Sequence, residues 1–158
     1  SSSADDVLNK MNAIIWSMNN SNDTLDNLVA YIRLWSLEYF ENTPIQCKVS
    51  TPDNIPAREL TGEKRRNIFL SVKETLNNVL KHSGASQVTV EIQAEEKLLI
   101  RISDNGNGID MENLRQFGNG LKNIARRMES IDGTFSIVRK DNSGGNDHGT
   151  VTTLTLPV

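Results

Sequence analysis

The stretch from Asn67 to His82, NIFLSVKETLNNVLKH, constrains this chain more than any other. Ile68, Phe69, Val72, Leu76, Val79 and Leu80 recur at three and four residues and form one apolar stripe of a helix. Glu74, Asn78 and His82 are spaced by four residues and share a different face, with Lys81 beside them. An Asn carbonyl oxygen suits a hard cation such as Mg²⁺. Lys and a protonatable His suit phosphate. A Glu near a terminal phosphate can accept a proton from an attacking group. Taken alone, the same face also reads as an ordinary solvated surface.

At 158 residues the chain fits one domain with room for a core. Its 37% hydrophobic content argues against disorder, and its net charge of −3 gives no support for a nucleic-acid surface. One cysteine, Cys47, and two histidines exclude a disulfide framework and argue against a Cys/His zinc site. Cys47 reads as a strand residue rather than a nucleophile. No apolar run approaches the roughly 18 residues of a membrane span, and no signal peptide is legible. The chain opens Ser1-Ser2-Ser3 without Met, and the expectation is a piece excised from a longer protein.

A helix is expected over Ala4 to Met18, too apolar to stand alone and suited to packing on another helix. Asn19-Asn20-Ser21-Asn22 breaks it, Asp23 or Thr24 caps the next, and that helix stops near Asn42-Thr43-Pro44. Ile45 to Ser50 is a short strand, and the central helix follows Gly62. Val88 to Ile92 and Leu98 to Ser103 are strands joined at hairpin length. Gly120 to Ile131 has helical spacing, with Gly133 as its stop. Thr134 to Arg139 and Val151 to Leu156 are the last strands, joined by a polar turn over Asp141 to Gly149 that includes His148. This order predicts an α+β two-layer sandwich, with a mixed, mostly antiparallel sheet and helices on one face. Connections of hairpin length leave no room for a doubly wound fold.

Two glycine loops follow. Ser103-Asp104-Asn105-Gly106-Asn107-Gly108-Ile109 leaves a strand directly, where glycines let backbone approach a ligand and Asp104 can accept from an amine such as that of adenine. Alone, this run is also a tight turn. Gly118-Asn119-Gly120-Leu121 opens a helix, whose N–H groups and dipole favour phosphate. Neither loop has the spacing of a P-loop or of a Rossmann fingerprint.

Together these motifs, with Gly149-Thr150 entering the last strand, resemble the GHKL ATP-binding fold of histidine kinases, gyrase-type ATPases, Hsp90-like chaperones and mismatch-repair ATPases. The resemblance spans about Asp23 to Val158. ETLNNVLKHSGAS resembles the N box of histidine kinases of the nitrate-sensor and desaturase-thermosensor type, and GNGLKNIARRMESIDG their GxGLxGMxERxxxxGG stretch. The sequence departs at Asn123, where the pattern often has Gly, at Ala125-Arg126, and at Asp132, which replaces the first glycine of the pair. Nine residues, Ile109 to Phe117, separate the two glycine boxes, which implies a very short ATP lid.

The resemblance implies the following roles. Asn78 coordinates Mg²⁺. Glu74 assists proton removal, or positions a water or the acceptor histidine. Asp104 binds the adenine amine, and Gly106 and Gly108 admit the base. Gly118, Asn119 and Gly120 wrap the phosphates, with charge from Lys81 and His82. Ile109 and Leu121 line the purine pocket, and Thr150 supports Asp104 or the purine. Asn77 is the neighbour that could substitute for Asn78. Residues 1–22 resemble the end of a dimerisation and phosphoacceptor region without its acceptor histidine, and 23–158 the ATP-binding catalytic domain.

The implied function is phosphoryl transfer from Mg-ATP to a histidine on a dimerisation helix supplied elsewhere, for relay to a response regulator. A chain lacking that histidine is not expected to phosphorylate itself. The implied setting is a cytoplasmic portion that dimerises in the full kinase and meets a membrane only through upstream segments. An anti-sigma-factor-type serine kinase is the alternative, distinguished because phosphohistidine is acid-labile and phosphoserine is not.

Overall fold

The computed structural model describes residues 24–141 and 148–158. The expected first helix, the dimerisation-region assignment and most of the polar turn lie outside the described residues. Helix α1 (Leu25–Phe40) buries Leu25, Leu28, Val29, Ile32, Trp35 and Phe40, the three-and-four spacing expected of it. Thr24 stands in the cap position, but its side chain caps nothing. The helix start is tied down by backbone instead: Thr24 bridges Glu59, and the Leu25 N–H donates to the Arg58 carbonyl at 2.9 Å.

Strand β1 (Gln46–Ser50) leads to helix α2 (Gly62–His82), which begins where the Thr61 hydroxyl accepts from the Lys64 N–H at 3.2 Å. Glu63 in the first turn and Lys81 and His82 in the last complement the helix dipole. Its buried stripe includes Ile68, Phe69, Val72, Leu76 and Val79. Phe69 meets Trp35 and Tyr31 of α1 edge to face, at centroid distances of 5.7 and 5.1 Å. Buried Ser71 and Thr75 return their hydroxyls to the carbonyls four residues back, so neither is left unsatisfied on the apolar face.

Strands β2 (Gln87–Ala94) and β3 (Lys97–Asp104) form the expected hairpin. A 3₁₀ turn (Arg115–Phe117) precedes helix α3 (Gly120–Ser130), and strands β4 (Thr134–Asp141) and β5 (His148–Pro157) close the sheet. The strand order is β1-β2-β3-β5-β4, antiparallel throughout except for the β1–β2 pair, which α2 connects. Alternate residues such as Val88, Val90, Ile92, Leu98, Ile100, Ile102, Leu154 and Leu156 face one way and are buried with the helices. This is the α+β two-layer arrangement the element order predicts.

Two local expectations are corrected. The residue that takes the left-handed conformation after α3 is Asp132, at φ 61°, and not Gly133. Asp tolerates that region because its side chain is short and polar. Gly133 serves packing: a Cβ there would lie 2.6 Å from the Thr155 carbonyl oxygen and 2.8 Å from the Met128 methyl. His148, expected in a turn, is the first residue of β5. Cys47 lies on edge strand β1, half-buried, and burial pushes its thiol up to about 11, so it stays protonated and is no nucleophile.

This topology places β3 at the centre of the sheet. Its last residue, Asp104, therefore emerges at the same end as the start of β2, the start of β5 and the end of α2.

Candidate active site

Asp104 is the only carboxylate among the described residues that is buried, at 4% exposure. One of its oxygens accepts the Gly106 N–H at 2.8 Å, and the carboxylate also receives the Thr150 N–H. Burial pushes its pKa above the ordinary carboxylate range, while those two N–H groups and the Lys140 charge pull the other way. A carboxylate offers about four acceptor positions, so capacity remains for a ligand amine.

The loop after Asp104 is held on three sides. The Asn107 N–H donates to the Ser83 carbonyl at 2.8 Å, the Ile109 N–H to the Thr150 hydroxyl at 2.8 Å, and the Gly106 carbonyl accepts from the His148 ring at 2.6 Å. Asn105 accepts the Ser86 and Gln87 N–H groups, each at 2.9 Å, and ties the loop to the start of β2. Packing alone requires glycine at 106, because a Cβ there would strike the Ser83 carbonyl oxygen. Gly108, at φ 85°, does line the cleft.

Asp104, Gly108, Ile109, Asn78, His82, Leu121 and Thr150 converge on one cleft. Its walls also include Thr75, Val79, Ile124, Ile137 and Thr152, which the sequence reading did not single out. Ile137 and Thr152 are a paired position of β4 and β5, and Thr152 lies two residues beyond Thr150 on the same face, a signal the strand period could have supplied. Phe117, also missed, closes the cleft from the short lid and meets the His82 ring edge to face at 4.9 Å.

The second glycine loop abuts the polar face of α2. A Cβ on Gly120 would strike the Glu74 carboxylate and lie 3.6 Å from the Asn78 amide nitrogen. Glu74 and Asn78 therefore sit at the start of α3, where backbone N–H groups favour negative charge. Gly118, at φ 56°, and Asn119 are exposed, as is Lys81 in the last turn of α2, and none of the three lines the cleft. Asn77 is engaged elsewhere: its carbonyl accepts the Tyr39 hydroxyl at 2.9 Å across the α1–α2 contact.

An apolar slot with one buried carboxylate at its base fits a flat heterocycle that carries an amine. A helix start beside an amide and a carboxylate fits a phosphate chain with a cation. Residues 63–158 match the model of the histidine kinase-, DNA gyrase B- and HSP90-like ATPases.

The chain belongs to that ATPase family.

ATP is the nucleotide that domains of this family use. The sensor protein VraS of Staphylococcus epidermidis is 39% identical over 79 residues, which are 49% of this chain and 23% of that protein. VraS of Staphylococcus aureus is 38% identical over the same length. The chain thus matches about a quarter of the length of these relatives. Among solved structures, the histidine kinase domain of the blue-light activated kinase of Erythrobacter litoralis superposes with a TM-score of 0.64 at 21% identity, covering 82% of this chain and 60% of that one. The mycobacterial sensor histidine kinase MprB gives 0.61 at 16% identity, over 85% and 94%. At these identities the structures speak for the fold, the two-layer α+β arrangement expected from the sequence.

Proposed function

We propose that this chain is the ATP-binding catalytic domain of a sensor histidine kinase, which holds Mg-ATP while its γ-phosphoryl group passes to a histidine on a dimerisation helix. The observation that carries the reading is Asp104, buried at the end of the central strand and facing an apolar cleft whose other end meets Glu74 and Asn78. Asp104 would accept the adenine amine, with Ile109 and Leu121 against the ring faces. Asn78 would hold Mg²⁺ through its side-chain oxygen, the remaining ligands being phosphate oxygens and water. The cation would neutralise charge on the phosphates. Glu74, beside Asn78, would take the proton released by the attacking imidazole, or hold the water that does so. In the transfer the imidazole nitrogen forms a bond to the γ-phosphorus, the bridging β–γ bond breaks, and its electron pair leaves with ADP.

The acceptor histidine does not come from the site. His82 faces Phe117 within the cleft, and His148 is bonded to the Gly106 carbonyl. The partners of this reading are a phosphoacceptor domain, a second copy in the full kinase, and a response regulator, in the cytoplasm. No helix among the described residues is long and apolar enough to cross a membrane.

Calorimetric titration with a non-hydrolysable ATP analogue, with and without Mg²⁺, tests the assignment. Asp104→Ala should abolish nearly all binding, and Asn78→Ala only the Mg²⁺-dependent part. Equal losses in both would mean that the base and metal ends are wrongly divided. No binding by the wild-type domain would remove the reading.

A further inference from the structure

Three consecutive residues at the start of β5 grip the loop that follows Asp104. The His148 ring reaches the Gly106 carbonyl at 2.6 Å, although 42 residues separate them. Gly149, at φ 137°, lets the strand pass so close that a Cβ would strike the Asp104 carbonyl oxygen. The Thr150 hydroxyl accepts the Ile109 N–H at 2.8 Å. Thr150 belongs to the expected site and Gly149 to its backbone path. His148 has no part in either reading so far.

A carbonyl can only accept, so Nδ1 of His148 carries the proton and donates. The peptide between Gly106 and Asn107 is then held at both ends: its C=O by His148 and its N–H by the Ser83 carbonyl at 2.8 Å. The preceding N–H, that of Gly106, fixes one oxygen of Asp104 at 2.8 Å. Moving the Gly106–Asn107 peptide would turn Gly106, and with it the donor that aims the Asp104 carboxylate. Glycines on either side of Asn107 give the loop little stiffness of its own.

We infer that His148 is a positioning residue for nucleotide binding: its Nδ1–H locks the Gly106 peptide and so holds the Asp104 carboxylate aimed at the base. This rests on the nucleotide reading of the cleft. His148 itself touches no nucleotide atom in this account.

The test uses His148→Ala, His148→Asn and His148→Gln in the whole chain. Asn carries its amide nitrogen near where Nδ1 stands, and Gln carries it near where Nε2 stands. Two measurements are made: affinity for a non-hydrolysable Mg-ATP analogue, and hydrogen exchange of the Asn107 and Ile109 amides without nucleotide. Ala should weaken affinity about fivefold, the size of one net hydrogen bond. It should also speed exchange at both amides. Asn should restore affinity to within about twofold and slow exchange again, and Gln should behave like Ala. Wild-type affinity and exchange in His148→Ala would overturn the inference, as would an Asn variant as weak as Ala. If wild type binds no nucleotide while exchange follows the Ala, Asn, Gln order, the grip on the loop stands and the nucleotide reading falls.

Discussion

The two ends of the cleft are built in opposite ways. At the base end, Asp104 and Ile109 are buried, Gly106 has the Ser83 backbone against its Cα, and each loop residue from Asp104 to Ile109 except Gly108 makes a hydrogen bond to another part of the chain or to the loop itself. At the phosphate end, Gly118 has no atom within 4 Å of an added Cβ, and Asn119 stands in the cap position of α3 without a side-chain bond. On the proposed reading, base recognition is thus part of the folded core, made from contacts among β2, β3, β5 and the end of α2. The other end meets α2 at two places, where Gly120 rests on Glu74 and Asn78 and where Phe117 meets the His82 ring. Contacts already made at the base end lower the ordering cost of binding there, and fewer such contacts restrain Gly118 and Asn119.

The largest effects that could break this contrast come from single methyl groups. Gly106→Ala and Gly149→Ala each put a Cβ onto a backbone carbonyl, which cannot rotate away as a side chain does. Overpacking of this kind costs about 1–3 kcal/mol or more, and at Gly149 the strain of its positive φ adds to it. Both variants should show a clearly lower urea midpoint and lose nucleotide binding. Gly118→Ala meets no neighbour and carries only backbone strain, its φ of 56° and ψ of −127° lying outside the wells open to L residues, about 1–3 kcal/mol and confined to an exposed turn. Equal destabilisation at all three positions would mean that the base end is no more tightly built than the lid.

Asp104→Asn comes next. A hydrogen bond to a charged acceptor is worth roughly 1.5–3 kcal/mol, so adenine nucleotide affinity should fall about ten- to a hundredfold. The same carboxylate gives a pH signature. Its folded pKa lies above its unfolded value, so between the two the folded state holds the extra proton and stability falls as pH rises through that window. Wild type should therefore gain stability relative to Asp104→Asn as pH is lowered from neutral toward about 4, the ordinary carboxylate range. Urea titrations of both proteins at two pH values read this directly. A difference that stays flat with pH would show that the Asp104 charge is not penalised in the fold, and the base end would lose its distinguishing feature.

Much of this contrast was legible before any coordinates. The apolar spacing of α1 and α2, the strand runs and the ordered glycine motifs carry the fold and most of the cleft wall, because they are local patterns. What escaped depends on distant backbone. The sequence of the Gly106 loop does not reveal the Ser83 carbonyl that packs against it. Spacing already sets Asn78 on the Glu74–His82 face, but that Asn77 accepts the Tyr39 hydroxyl of another helix is not legible in the sequence. His148 sits in a run of polar and glycine residues that names no partner, and its bond to Gly106 exists only once β3 and β5 are paired. After α3 two candidates for the left-handed position, Asp132 and Gly133, stand side by side, and close packing on Thr155 claims the glycine.

The smallest expected effect is at Lys81, and it sharpens the contrast through salt. Lys81 is exposed in the last turn of α2 and does not line the cleft, so on the proposed reading its ammonium acts on phosphates across solvent. Exposed charge pairs are worth about 0.2–1 kcal/mol, so Lys81→Ala should weaken nucleotide binding by less than about fivefold at low ionic strength. The Debye length shrinks from about 30 Å at 0.01 M to about 3 Å at 1 M, and the deficit should vanish across that range. Asp104 is desolvated and bonded at short range, so the deficit of Asp104→Asn should persist unchanged in the same titration. If both deficits fade together, Asp104 acts through a screened field and the base end is as open to solvent as the phosphate end. If neither fades, Lys81 reaches a phosphate directly, and the phosphate end is more closely built than its exposed side chains indicate.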